Sequence, residues 1–257
     1  MDWLDEPLSA LQADGLYRER RRIESGQGAT LHYRGRSFIN FASNDYLNLA
    51  TDRRLAAAAA RAARRYGTGA GASALVSGHL PPLRALERRL AAWAGTEAAL
   101  VFSSGFAANL SVITALADRD TVVFSDELNH ASLIDGCRLA RTRVVVYRHA
   151  DAAHLAELLQ REGPEQRKLI VSDTVFSMDG DFAPLPALVE LAERYRCPLI
   201  LDDAHATGVL GENGRGLSGD LQSECIIKVG TLSKALGAQG GFICGSRKLI
   251  DWLVNRA

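Results

Sequence analysis

The stretch Leu199-Ile200-Leu201-Asp202-Asp203-Ala204-His205 joins a short, fully apolar run to two carboxylates and an imidazole. Other short runs in the chain are also apolar and rich in β-branched residues, and helix-length segments separate them. These runs are residues 121–124, 143–147, 169–172, 199–201, 226–229 and 242–244. Strands that are apolar on both faces and alternate with helices are typical of a parallel sheet covered by helices. The sequence therefore predicts an α/β fold with a mostly parallel sheet.

Polar side chains follow several of these predicted strands, at the point where each strand ends. They are His130, Ser177, Asp179, Asp202, Asp203, His205, Thr231, Ser233 and Lys234. In such sheets ligands bind beyond the carboxyl ends of the strands. The sequence therefore predicts that one sheet edge collects a carboxylate, two imidazoles, hydroxyls and a lysine.

Lys234 and Asp202 suggest a specific chemistry at that edge. A partly desolvated lysine has a lowered pKa and can form a Schiff base, although a surface lysine that caps a turn is the alternative. An aspartate at the rim of a core is costly without a partner, and the pyridinium of pyridoxal phosphate is such a partner. His205, three residues on, would then reach the cofactor's phenolic oxygen. The alternative for Asp202 is a helix N-cap beside a structural histidine.

Two further segments fit the same cofactor. The segment SSGFAAN at 103–109 leads small hydrogen-bonding residues into an apolar helix, and exposed N–H groups at a helix start suit a phosphate. His130 lies at a predicted strand-to-helix turn, where it would stack on a flat ring. An ordinary N-cap and a helix-start histidine are the alternatives. Together these residues predict a site for pyridoxal 5'-phosphate.

Composition excludes several other classes of protein. The 257 residues carry 30 basic and 30 acidic side chains, whereas a nucleic-acid-binding protein normally has a basic excess. No apolar stretch reaches the roughly 18 residues of a membrane helix, and the acidic start lacks the features of a signal peptide. The four cysteines show neither CxxC pairs nor zinc-ligand spacing. We expect a cytoplasmic protein without a metal site.

The chain is predicted to have two parts. Residues 1–45 form an N-terminal arm, helical or extended, and short strands at 30–33 and 37–41. Residues 46–257 form the cofactor-binding domain, with helices over 53–65 and from Pro81 to a stop at Gly95, where apolar residues recur at helical spacing.

Over essentially its whole length the chain resembles the α-oxoamine synthases, a branch of the aspartate aminotransferase-like (fold type I) pyridoxal phosphate enzymes. The resemblance rests on six motifs: NDYL at 44–47, SSGFAAN at 103–109, DELNHAS at 126–132, VFSMDGD at 175–181, DDAH at 202–205 and TLSKA at 231–235. Asp173 is a departure, since many members of the family have glutamate there. The family also continues past the position of Ala257 with a smaller C-terminal domain, so the resemblance implies that these residues are a fragment.

The resemblance implies a role for each matching residue. Lys234 would bind the cofactor's aldehyde and move the substrate's Cα proton, and Asp202 would pair with the ring nitrogen. His130 would stack on the ring, while His205 and Ser177 would hold the phenolic oxygen. Residues along the cofactor and its phosphate would be Gly105, Phe106 and Thr231. Substrate-binding positions would be Arg18, Asn44, Ser73 and His130.

The segment TGVLGENGRG at 207–216 and the arm with LYR at 16–18 resemble most the branch of the family that serves biotin biosynthesis. That likeness implies a decarboxylative condensation of L-alanine with a pimeloyl thioester, carried by an acyl carrier protein or by coenzyme A. A homodimer is also implied, and Arg18–Arg22 is a possible docking site for the carrier protein or simply a solvated face. The alternatives are another α-oxoamine synthase, such as glycine C-acetyltransferase, or a non-catalytic partner subunit. Because such subunits lose the lysine that binds the cofactor, Lys234 argues against the last.

Overall fold

Residues 1–257, all of which are described by the computed structural model, divide into two units, Met1–Ser43 and Asn44–Ala257. The first unit contains α1 (Asp5–Ala13) and the antiparallel hairpin of β1 (Thr30–Tyr33) and β2 (Arg36–Ile39). Arg34 and Gly35, which connect the two strands, both have positive φ, as the tight turn of a two-residue hairpin requires. No residue of α1 is buried, so this helix is a surface element of its unit.

The second unit is built around a seven-stranded sheet. Its strands are β3 (Ala98–Phe102), β4 (Thr121–Asp126), β5 (Arg143–Tyr147), β6 (Arg167–Asp173), β7 (Leu199–Asp202), β8 (Ile226–Thr231) and β9 (Gly241–Gly245). In space their order is β3-β9-β8-β7-β6-β4-β5. The five strands from β8 to β5 are parallel, and β9 is antiparallel to both of its neighbours. The predicted mostly parallel sheet is confirmed.

Seven α-helices belong to this unit. They are α2 (Arg53–Tyr66), α3 (Pro81–Ala94), α4 (Gly105–Leu116), α5 (Ala131–Leu139), α6 (Ala152–Gln160), α7 (Leu185–Arg194) and α8 (Arg247–Arg256). α3 begins at a proline, which suits the first helical position, and ends where Gly95 adopts the left-handed conformation. No helix of the chain is both long enough and apolar enough to cross a lipid bilayer.

Two apolar layers cover the sheet. One contains side chains of α4, α5 and α8 packed on the strands, with Val112, Leu133 and Leu253 at or below 1% exposure. The other contains side chains of α6 and α7, with Leu155 and Leu188 fully buried. All residues of β4 are buried, as expected for a strand inside a parallel sheet.

The sequence analysis was wrong about two strands at the edges of the sheet. It missed β3, whose sequence AALVF begins with two alanines and contains a single β-branched residue. It also treated residues 143–147 as apolar on both faces, whereas Val144 and Val146 of β5 are 37% and 55% exposed. β5 is an edge strand that pairs with β4 alone, and the face that carries Val144 and Val146 is not covered by a helix of the chain.

Candidate active site

A cavity of about 220 Å³ lies at the carboxyl ends of the parallel strands. Its walls come from the ends of β6, β7 and β8 and from the starts of α4 and α5. The lining residues are Ser104, Gly105, Phe106, Asn109, His130, Ser132, Asp173, Asp202, Ala204, His205, Thr231, Ser233 and Lys234. The structure therefore brings together a lysine, two imidazoles, two carboxylates and several hydroxyls around one small space.

Lys234 lies in the turn that follows β8. The hydroxyl of Thr231 shapes this turn, because it accepts the N–H of Ser233 at 3.2 Å and donates to the carbonyl of Gly240 at 3.0 Å. The side chain of Lys234 is partly buried, and its Nζ is 2.7 Å from His205 Nε2. Burial lowers the pKa of Lys234, while the carboxylates of Asp202 and Asp173 act in the opposite direction. A lysine in this setting is more easily deprotonated than one at the surface.

His205 connects Lys234 to two residues at the start of the second unit. Its Nδ1 is 2.6 Å from the hydroxyl of Tyr46, which is 3.1 Å from Asn44 Oδ1. When Lys234 is charged it donates to Nε2, so the ring proton of neutral His205 is on Nδ1 and points at Tyr46. Burial and the charge of Lys234 lower the pKa of His205 to about 4, so the ring is neutral at physiological pH.

Asp202 ends β7 and is 5% exposed. One carboxylate oxygen accepts the N–H of Ala204 at 2.9 Å, and the other accepts the amide of Asn109 at 2.6 Å. None of the ion pairs in the chain involves Asp202. A buried carboxylate held only by neutral donors is a favourable partner for a cationic group that enters the cavity.

Asp173 is the neighbour of Asp202 on the adjacent strand β6, where the two residues are in register. It is 4% exposed, and its Oδ2 accepts the backbone N–H of His130 at 2.6 Å. Burial raises the pKa of Asp173 well above its usual value, and the nearby Asp202 carboxylate raises it further. The cavity therefore contains two carboxyl groups. One of them, that of Asp173, is more readily protonated than the carboxyl group of a free aspartate.

His130 caps the N-terminus of α5. Its Nδ1 accepts the backbone N–H of Ser132 at 3.2 Å and lies 2.7 Å from the Ser132 hydroxyl. Because a backbone N–H can only donate, Nδ1 is unprotonated in this arrangement and neutral His130 carries its proton on Nε2. His130 is thus held at two points: Asp173 accepts from its backbone N–H, and Ser132 donates to its ring.

The start of α4 forms the remaining wall. Ser104 caps the helix by accepting the N–H of Ala107 at 3.0 Å. The approach of this helix to β8 is close, because a Cβ added to Gly105 would lie 3.3 Å from Cβ of Thr231. Glycine permits that approach, and the hydroxyl-bearing residues Thr231 and Ser233 line the same cavity as the first residues of the helix.

Four predicted site residues do not line this cavity. Ser177 lies exposed in the turn after β6, and Ser73 caps the short π-helical turn Ala74–Gly78 at the surface. Arg18 is exposed in the first unit, in a segment without regular secondary structure. Asn44 belongs to the second unit and is linked to His205 through Tyr46. Roles for these residues toward a ligand stay predictions.

The sequence analysis assigned no role to Asn109, Ser132, Tyr46 or Asp173 as site residues. Asn109 and Ser132 lie on helices, where a polar residue gives no sign that it is buried against a carboxylate or an imidazole. Tyr46 contacts a residue 159 positions away. Their one shared signal is that each belongs to, or adjoins, a motif that also contains a predicted site residue.

A second and larger cavity lies at the opposite end of the sheet, where β7 and β8 begin. It has a volume of about 790 Å³. Its lining includes Leu116, Cys197, Ile226, Ile227 and Trp252. No group of histidine, cysteine, aspartate and glutamate side chains in the chain is arranged to hold a metal ion.

Comparison with known proteins gives consistent results. The family model for aminotransferase class I and II matches residues 36–257. An 8-amino-7-oxononanoate synthase of Anaeromyxobacter sp. (strain K) is 53% identical over 259 aligned positions, which include the whole chain and 65% of that relative. The chain thus spans less than two thirds of the length of this curated relative.

Two solved structures share the fold. A serine palmitoyltransferase from S. paucimobilis, solved with a bound aldimine of pyridoxal phosphate and myriocin, superimposes with a TM-score of 0.91 at 30% identity, over 100% of this chain and 67% of its own. An 8-amino-7-oxononanoate synthase from Francisella tularensis superimposes with a TM-score of 0.71 at 30% identity, over 84% of this chain and 60% of its own.

Proposed function

The chain belongs to the aminotransferase class I and II family, and from this premise we propose that it is the cofactor-binding part of a pyridoxal phosphate-dependent acyltransferase. The observation that carries the proposal is the pair formed by Lys234 and Asp202 in one small cavity. The lysine has a lowered pKa, and the buried carboxylate lacks an ion-pair partner. An amine that binds an aldehyde and an anion that pairs with a pyridinium are the two groups such a site requires.

The residues present fit the whole cofactor. Asp202 would pair with the ring nitrogen and thereby offset the cost of its own burial. Phosphate would be held by the N–H groups at the start of α4 and by the hydroxyls of Thr231 and Ser233, since a helix N-terminus favours an anion. His130 would lie against the ring, and His205 beside its phenolic oxygen. The close approach of Gly105 to Thr231 brings the two phosphate-binding segments to the same wall.

When bound, pyridoxal phosphate supplies an electron sink that stabilises negative charge at the substrate Cα. The chain's own residues supply the proton transfers. Lys234 accepts the Cα proton at Nζ as its base, which its lowered pKa favours. His205, neutral and 2.7 Å from Nζ, orients the amine and is itself oriented by Tyr46. His130 and Phe106 flank the cavity, where they would exclude water.

We propose that the substrates are L-alanine and a pimeloyl thioester. The Cα of L-alanine would attack the thioester carbonyl, the thiol carrier would leave, and loss of carbon dioxide would give 8-amino-7-oxononanoate, a step of biotin biosynthesis. The 53% identity to a relative of that name supports this choice over the serine palmitoyltransferase reaction, since the latter relative is 30% identical. Glycine C-acetyltransferase activity is the alternative that the substrate test below separates.

Partners are also part of the proposal. A homodimer is supported by large apolar side chains that the single chain leaves in solvent, among them Leu75, Val76 and Met178 at 71%, 80% and 91% exposure. In the first unit, Arg20, Arg21, Arg22 and Arg34 line one polar cavity together with Glu19 and Glu24, and this excess of positive charge suits either an acidic acyl carrier protein or the phosphates of coenzyme A. We place the protein in the cytoplasm, where L-alanine and acyl thioesters are available.

The decisive experiment is an absorption titration of the purified chain with pyridoxal phosphate, followed by borohydride reduction and peptide mapping. We expect a new visible band, reduction that leaves the cofactor on Lys234, and a spectral change with L-alanine but not with glycine. Lys234→Ala removes the covalent adduct, and Lys248→Ala, which changes an exposed lysine of α8, is the matched control. A band of equal strength in Lys234→Ala would contradict the proposed site, and a response to glycine alone would favour glycine C-acetyltransferase.

A further inference from the structure

Asn109 lies inside the apolar helix α4 and is 1% exposed. Its Nδ2 donates hydrogen bonds to two residues that line different parts of the cavity. One hydrogen bond goes to Asp202 Oδ2 at 2.6 Å and the other goes to the hydroxyl of Ser132 at 2.9 Å. An amide nitrogen has two protons, so both are used.

The orientation of this amide follows from its neighbours. If the amide were turned over, its carbonyl oxygen would lie 2.6 Å from a carboxylate oxygen of Asp202, where the two would repel. In the orientation observed, Oδ1 is buried without a hydrogen-bond partner. Since a buried unpaired carbonyl is destabilising, Asn109 is poorly explained as a packing residue and well explained by its two donors.

The second hydrogen bond continues to His130. The Ser132 hydroxyl accepts from Asn109 and lies 2.7 Å from His130 Nδ1, which is already an acceptor of the Ser132 N–H. The hydroxyl proton is therefore directed at Nδ1. This chain of donors, Asn109 to Ser132 to His130, stabilises the His130 tautomer with its proton on Nε2.

We propose that Asn109 is a positioning residue that sets the orientation of Asp202 and, through the Ser132 hydroxyl, reinforces the tautomer of His130 that the Ser132 N–H selects. This inference rests on the proposed function, in which Asp202 pairs with the nitrogen of the cofactor ring and His130 lies against the ring. Asp202 is otherwise held at one oxygen only, by the N–H of Ala204. Loss of Asn109 would let the carboxylate pivot away from the ring nitrogen and would weaken the preference of His130 for one tautomer.

The test compares Asn109→Leu with the unaltered chain. We expect pyridoxal phosphate to bind about ten-fold more weakly and the pH midpoint of its absorption change to move by about one pH unit, because the ring nitrogen loses an aligned anion. In the cofactor-free protein, ¹⁵N NMR of His130 should show a measurably larger share of the tautomer protonated on Nδ1, while the Ser132 N–H, which the variant keeps, still favours the other tautomer. Thr114→Val, which removes a hydroxyl bonded only to backbone carbonyls of the same helix, is the matched control and should change neither signal.

Asn109→Ser removes both amide donors without placing an apolar side chain against Asp202, and it takes the place of the leucine variant if that protein does not fold. Unchanged cofactor affinity and an unchanged His130 tautomer in a folded variant would overturn the inference, whatever happens to the melting temperature. Failure of the unaltered chain to bind the cofactor would overturn the proposed function instead, since the NMR signal tests the positioning role without it.

Discussion

The two ends of the central sheet carry cavities of opposite character. The cavity at the amino end has a volume of about 790 Å³ and is lined largely by apolar side chains such as Leu116, Ile227 and Trp252. The cavity at the carboxyl end is about 220 Å³ and is lined by Lys234, Asp202, Asp173 and two histidines. If cavity volume alone were the criterion, the candidate binding site would be the cavity at the amino end. The convergence of titratable groups with shifted pKa values selects the carboxyl end, because reactive groups at a working site must be taken out of their ordinary environments.

The largest difference between the two ends of the sheet should be seen in the effect of a variant at Asp202 on cofactor binding. We expect Asp202→Asn to weaken pyridoxal phosphate binding at least about 100-fold, since it removes the buried anion that we propose pairs with the ring nitrogen of the cofactor. The cofactor-free protein should lose no more than about 1–2 kcal/mol of its free energy of unfolding, because the variant gives up one hydrogen bond to a neutral donor and no ion pair. Fluorescence titration and urea unfolding measure the two effects. A large loss of stability together with unchanged binding would make Asp202 a structural residue.

A variant at the amino end should behave in the opposite way. Ile227 is 6% exposed, lines the large cavity and belongs to the apolar core. Ile227→Ala should lower the free energy of unfolding by about 2–4 kcal/mol and leave cofactor affinity within about two-fold. Val144→Ala, at the half-exposed edge strand, is the control and should cost less than about 1 kcal/mol. Urea unfolding gives the first quantity, and a ten-fold change in cofactor affinity would contradict the separation of the two ends.

The carboxyl end should also make stability depend on pH near neutrality, through His205. The pKa of His205 is about 4 in the folded chain and 6.5 for an ordinary histidine. Between these values the unfolded state binds the extra proton, so stability is complete above about pH 6.5 and is lost as the pH falls toward 4. After allowance for solvent around this half-buried ring, we expect a loss of roughly 1–2 kcal/mol.

His205→Gln isolates this contribution. Urea unfolding of the two proteins at pH 7 and at pH 4.5 gives the difference. The raised pKa of Asp173 changes stability in the opposite direction over the same range, but it is present in both proteins. Equal pH dependence in both proteins would mean that His205 is not the group that titrates.

The smallest effect concerns Tyr46. Tyr46→Phe removes the hydroxyl that lies 2.6 Å from His205 Nδ1 and keeps the ring. Loss of one hydrogen bond of about 1 kcal/mol should slow exchange of the L-alanine Cα proton about five-fold, because His205 no longer orients the Lys234 amine as firmly. Proton NMR in D₂O measures the exchange. Tyr66→Phe, at the end of α2, is the control, and an equal decrease in that variant would refute the role given to Tyr46.

The parts of the fold that could be predicted from the sequence are those that local pattern determines. Parallel strands are apolar on both faces, and polar residues that end them meet at one edge, so Lys234, Asp202, His130 and His205 could be placed in one region before any coordinates. Gly95 ends α3 for a local reason, its left-handed conformation. Strand β3 was missed because its stability comes from pairing with β9.

The missed site residues share a different cause. Asn109 and Tyr46 act through partners that are distant in the sequence, Asp202 and His205. The helical pattern of the sequence shows that a polar residue lies at position 109, but it does not show which residues Asn109 contacts. The carboxyl group of Asp173 is similar, since its proximity to Asp202 depends on the register of β6 against β7. Long-range register and hydrogen bonding lie outside what periodicity and spacing can predict.

The position of β9 has a consequence for biosynthesis. β3 is hydrogen-bonded only to β9, and β9 joins it to β8, so residues 98–102 have no strand partner until residues 241–245 exist. At ordinary ribosomal speeds this interval lasts on the order of ten seconds. During that time the nascent chain exposes an unpaired strand edge, which is prone to pair with other chains. The strand order therefore predicts that this edge needs protection during synthesis until β9 has emerged from the ribosome.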